Sequence, residues 1–129
     1  MTIKVERLHD EPIIVVTWSN PSDVQKESPQ KFVEVDALIG SDEKVYVIDN
    51  LTNVKIDFST LVSGMAAQRA KVPGAPSDPR IHSILVGSGV LWELASKGAR
   101  QFQYGSIDIP LFPSLEAALA HVREKIKSW

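Results

Sequence analysis

Cysteine is absent from these 129 residues, which excludes a disulfide scaffold and a thiolate zinc site and suits a reducing compartment. An excess of charge of one sign is also missing. Lys and Arg number 14 against 16 Asp and Glu, a net charge of −2. Nucleic-acid binders carry a basic cluster that neutralises phosphates. The nearest candidate, Arg123, Lys125 and Lys127, suits the C-terminal end of a helix dipole instead. Nucleic acid is not an expected partner. No apolar run approaches the ~20 residues that span a bilayer. Met1 to Leu8 alternates apolar and polar residues rather than forming a signal-peptide core, so a soluble, cytoplasmic protein is the expectation. Aromatic residues are sparse, at 7%.

What is present is ordinary for one globular domain: 43% hydrophobic and 23% charged residues in a length that single domains commonly have. The expectation is therefore a single domain over residues 1–129. Ile3, Val5 and Leu8 alternate with polar neighbours, the period of a half-buried strand. His9-Asp10-Glu11-Pro12 punctuates, and Ile13 to Trp18 is a β-branched run suited to burial on both faces. An antiparallel hairpin opens the chain.

Ser28 before Pro29 reads as a helix cap with proline at the first helical position. Phe32, Val35 and Leu38 then recur at helical spacing, with Lys31 and Glu34 outward and Gly40 as a left-handed stop. Val45 to Ile48 predicts a strand ending in Asp49-Asn50, and Leu51 to Asp57 is ambiguous. From Phe58 the period becomes 3.6, with Phe58, Leu61, Val62, Met65 and Ala66 on one face and Phe58 suited to core packing. Lys71 to Arg80 holds three prolines and a glycine, a loop that serves as a lid, a docking segment or a plain connector. Ile81 to Val86 predicts a strand, Gly87-Ser88-Gly89 a turn capped by Ser88, and Leu91, Leu94 and Ala95 a helix. Phe102 to Ile109 predicts the last strand. Pro113 and Ser114 open a final helix with Leu115, Ala118, Leu119, Val122 and Ile126 aligned. The order β-β-α-β-α-β-α-β-α implies a mixed, mainly parallel sheet with about four helices, an α/β domain.

This order and two local phrases resemble the STAS-like domains, the group that includes bacterial anti-sigma-factor antagonists, and most of all an uncharacterised bacterial branch of it. The phrases are Ile81-His82-Ser83-Ile84-Leu85-Val86-Gly87, a strand running into a helix, and Ile109-Pro110-Leu111-Phe112-Pro113-Ser114-Leu115-Glu116-Ala117-Ala118-Leu119, which closes the chain. The resemblance implies a regulatory role. In the signalling members a serine opening the helix after the middle strand is phosphorylated within a phrase like Asp-Ser-Ser-Gly-Leu. Asp57-Phe58-Ser59-Thr60-Leu61 stands in the comparable place, with Phe58 for a serine and Thr60 for the glycine.

Catalytic chemistry finds no constellation. His9, His82 and His121 lack metal-ligand spacing and read as structural, and no nucleophile–base pair, metal site or cofactor loop assembles. The turn Gly87-Ser88-Gly89 is placed to touch an anion at a helix N-terminus, although Trp92 stands where a dinucleotide fingerprint needs its last glycine. Asp49, Asn50 and Asp57 follow a parallel strand, where α/β sheets commonly hold ligands, and the same residue types favour turns. Trp92 suits either the core or a partner contact. Two functions follow as expectations. The first is a non-catalytic, cofactor-free module that contacts another protein through Ser59, Thr60, Ser63 and Met65. The second is a small-molecule or anion-binding domain with a crevice near Asp49, Asp57 and Ser88. A homodimer stays open.

Overall fold

The β-branched runs separate into strands wherever polar punctuation allows the backbone to turn, and they collect into one five-stranded sheet in sequence order. The computed structural model describes residues 3–20, 24–55, 57–98 and 108–129. Its elements are β1 (Ile3–Arg7), β2 (Ile13–Trp18), α1 (Val24–Ala37), β3 (Val45–Asn50), α2 (Phe58–Gln68), β4 (Ile81–Val86), α3 (Val90–Gly98), β5 (Leu111–Phe112) and α4 (Leu115–Ile126). β1 pairs antiparallel with β2, and β2 to β5 run parallel. The predicted mixed α/β sheet with an opening hairpin is borne out.

Strand order has a direct consequence for the helices. Parallel strands laid down in sequence order, each joined by a right-handed crossover, send every crossover helix to the same face. That face packs Ile14, Val16 and Trp18 of β2 and Val45 and Val47 of β3 against Val35 of α1, with Trp92 and Ala95 of α3 at its margin. The opposite face, Ile13, Val15, Tyr46, Ile48, Ile84 and Val86, is covered by α4 through Ala118 and Val122. Side chains alternate between faces because the strand period is two. The middle strands are therefore mainly apolar on both faces, with polar residues such as Asp49 and Asn50 at the carboxyl end of β3.

Several local expectations change. α1 starts at Val24, so Ser28 and Pro29 lie inside it rather than at its cap. Ser28 is fully buried, and its hydroxyl accepts from Gln68 Nε2 at 2.8 Å. A proline at this position cannot donate to the carbonyl one turn back, a loss that the packing of α1 on the sheet outweighs. Lys31, expected outward, is buried. α1 ends at Ala37, and Gly40 is not among the positive-φ residues, so it is no left-handed stop. Leu51 to Lys55 is a turn-rich connection without strand. The last strand is Leu111–Phe112; of the segment predicted for it, residues 102–107 lie outside the described residues and Asp108 and Ile109 precede it. Pro113 then turns the chain, and Ser114 caps α4 by accepting from the Ala117 N–H at 3.1 Å, as expected.

The loop from Lys71 to Arg80 is pinned to α1. Gly74 adopts φ +87°, and a Cβ there would collide with the Phe32 carbonyl, so glycine is required by both conformation and space. Asp78 accepts from the Gly74 N–H at 3.0 Å and pairs with Arg80, which reaches Asp36 of α1 at 2.7 Å. Arg80 first, and the Gly74 amide after it, hold the Asp78 carboxyl well below the usual carboxylate range.

Candidate functional site

The carboxyl ends of β2 and β3 and the helices above them bring most of the predicted residues into one region. Its floor is a polar network. Lys31 of α1 has a side chain only 2% exposed, and its Nζ donates to Asp49 Oδ2 at 2.9 Å and Gln68 Oε1 at 3.2 Å. The other Asp49 oxygen accepts from Trp18 Nε1 at 3.0 Å. Gln68 passes the chain of bonds to Ser28. A buried ammonium is tolerable only when paired and hydrogen-bonded, and here β3 and α2 supply the partners. Both Asp49 oxygens are thus engaged by internal donors. Asn50 Oδ1 accepts from the hydroxyl of Thr52 at 2.8 Å and from its N–H at 3.3 Å, closing the turn after β3.

α2 rises from this floor. Asp57 is its cap, accepting from the Thr60 N–H at 2.8 Å, and that amide first, then the Thr60 side chain, lowers the carboxyl's pKa. Successive helical residues turn by ~100°. Leu61 and Gly64 face inward and are buried. Phe58 is 61% exposed, Val62 38%, and Ala66 is exposed beside them. This corrects the expectation that Phe58 packs in the core: the inward stripe runs through Leu61 and Gly64, which turns Phe58 and Val62 to solvent. Of the residues expected to meet a partner, Ser59 and Ser63 are exposed on the same helix, while Thr60 and Met65 are half-buried.

Met65 is half-buried because α2 packs on α3 there: a Cβ on Gly98 would collide with the Met65 methyl. The two helices follow neighbouring parallel strands, so they run side by side in one direction. α3 adds Val90, 70% exposed, and Leu94, 44% exposed, to the surface of α2. Between Phe58 and Gln68 no residue carries a charge. Large exposed apolar side chains on two packed helices, with no charge along one of them, are of the kind that marks interaction surfaces.

Gly87, Ser88 and Gly89 lead into α3. Gly89 adopts φ +107°, Ser88 is exposed, and Trp92 lies over Gly87, where a Cβ would meet its ring. Trp92 is half-buried against the first core. The histidines scatter. His9 pairs with Asp10 at 3.0 Å on the surface, His82 stands beside the stacked rings of Tyr46 and Trp129, and His121 lies against Phe112. Among the described residues no group of three or more His, Asp or Glu side chains is placed to hold a metal ion, and no helix is long and apolar enough to cross a membrane.

Reading the residues alone missed Lys31, Trp18, Gln68 and the outward Phe58. The readable signal was the uncharged length of α2, since a helix with a solvent face normally carries charge there.

No family model matches this chain, and no curated protein matches it. Among solved structures it is similar to an uncharacterised protein of the DUF3478 family with a SpoIIAA-like fold from Shewanella loihica PV-4. The identity is 16%, the TM-score 0.56, and the match covers 93% of this chain and 91% of the other. The likeness shows the fold, which is SpoIIAA-like and so STAS-like, in agreement with the resemblance read from the sequence.

Proposed function

We propose that this chain, a domain of SpoIIAA-like fold, is a non-catalytic protein-interaction module of a regulatory kind, which docks through the exposed face of α2 and α3. The observation that carries the reading is the outward placement of Phe58 and Val62 beside Val90 and Leu94. Isolated exposed apolar residues need no explanation. Four on neighbouring helices, one of them uncharged, are costly to leave in water and are the usual core of an interface.

The rest of the region supports this role. The Lys31–Asp49–Trp18–Gln68 network ties α1 and α2 to the sheet, so α2 presents a fixed surface. A rigid face loses less entropy on binding than a flexible one. Ser59 and Ser63 border the apolar residues and supply the polar edge that interfaces usually have.

The test is affinity capture with the full chain as bait, comparing wild type with Phe58→Asp and Val90→Asp. The expected result is a saturable partner that wild type retains and both variants lose, with circular dichroism unchanged. Equal capture by all three baits refutes the assignment of this face.

A further inference from the structure

We infer that the occupant of the α2–α3 face is a second copy of this chain, docked about a two-fold axis that crosses both helices; the inference rests on the proposed role of that face. The first argument is charge. Val90, Glu93, Leu94 and Lys97 are all exposed on α3, and at ~100° per residue they share one sector. Glu93 stands one turn nearer the N-terminus than Lys97. A two-fold axis perpendicular to α3 sets the helices of two copies antiparallel. Each Glu93 then faces the other copy's Lys97, which makes two such pairs per dimer. An axis along the helix would set like charges together. Self-complementarity of this kind is what an isologous interface requires, residue i meeting j and j meeting i, and α2 adds no charge that either copy must desolvate.

The second argument is size. At their exposures of 61, 38, 70 and 44%, Phe58, Val62, Val90 and Leu94 present together on the order of 300–400 Å² of apolar surface. Two copies contribute roughly 600–800 Å², about the apolar share of an interface of ~1,200 Å², the lower end of specific association. A reversible dimer follows rather than an obligate one.

Sedimentation velocity of the full chain from about 5 to 200 µM tests this, since dimers with small interfaces dissociate in the micromolar range. Wild type is expected to move from monomer to dimer across the series, and Phe58→Asp to stay monomeric. Glu93→Lys and Lys97→Glu each weaken the dimer at least about tenfold by opposing like charges, and the double reversal Glu93→Lys/Lys97→Glu restores it to within about threefold. Phe58→Ser, a milder change at an exposed position, guards against loss of fold. A dimer unaffected by Phe58→Asp, or a double reversal no better than the singles, overturns the inference. A monomer at every concentration also overturns it. If that monomer still loses a captured partner on Phe58→Asp, the docking face survives with a different occupant; if it captures none, both readings fall together.

Discussion

Replacing Asp49 by asparagine removes one charge from the floor of the docking region and changes almost no volume. In the wild type, Lys31 Nζ lies 2.9 Å from Asp49 Oδ2 while Trp18 Nε1 donates to Oδ1 at 3.0 Å. An asparagine offers one oxygen. If it faces Trp18, its amide N–H groups oppose the ammonium; if it faces Lys31, the indole N–H loses its acceptor. The Gln68 carbonyl remains for Lys31, but the buried cation no longer has a counter-charge. Two unit charges ~4 Å apart attract by roughly 4 kcal/mol at an effective dielectric constant of ~20, and stranding one partner of a buried pair costs about 3–5 kcal/mol. Asp49 is 15% exposed, which places the expected loss near the lower figure, about 3 kcal/mol. For a chain of this length that corresponds to a fall in Tm of roughly 10 °C. Urea unfolding followed by tryptophan fluorescence and circular dichroism reads it directly, with an unchanged m-value. Lys31→Met in the same background removes the stranded cation, so the double variant should be more stable than Asp49→Asn alone. A single variant within about 1 kcal/mol of wild type, or a double variant no better than the single, refutes the claim that these groups form an interdependent buried pair.

The two faces of α2 should separate cleanly in the same assay: Leu61→Ala is expected to cost about 2–5 kcal/mol, whereas Phe58→Ser should stay within about 0.5 kcal/mol. Gly74→Ala should cost about 2 kcal/mol or more, because it strains a positive φ and drives a Cβ into the Phe32 carbonyl, and a neutral effect would contradict the pinned loop. Acid should weaken the fold through Glu43, whose carboxyl is held at about 2 by the Arg7 guanidinium and then by the Gly40 amide. A depressed carboxyl stabilises the fold above its ordinary value of 4.5 and loses that contribution as pH falls through about 2. The urea midpoint should therefore decline between about pH 5 and 2, and less steeply in Glu43→Gln; Asp78 beside Arg80 contributes a slope of the same sign.

The order of strands and helices was legible because each element carries its own period and its own punctuation, as in Phe112-Pro113-Ser114 before α4. The strand and helix patterns also implied the crossover topology, since chain handedness leaves few alternatives. The errors share a cause. Ser28-Pro29 has the local chemistry of a helix start, yet α1 begins earlier because Ser28 finds a buried partner in Gln68. Lys31 looks like a solvent-facing charge, and only Asp49 and Gln68, distant in sequence, explain its burial. Phe58 has the correct spacing for the core, but two stripes on α2 have that spacing, and Leu61 with Gly64 is the one that packing buries. Each case turns on a partner brought close by the fold, which local periodicity does not encode.

The docking face itself is tested most directly by placing a photo-crosslinking amino acid at Val62 and, as a control, at Val33, which is 71% exposed on α1 away from the patch. Irradiation in the native cell should give a discrete crosslinked protein from position 62 and none from position 33. Equal yields from both positions, or no adduct at position 62, would contradict the assignment of the α2–α3 face as the surface through which this domain acts.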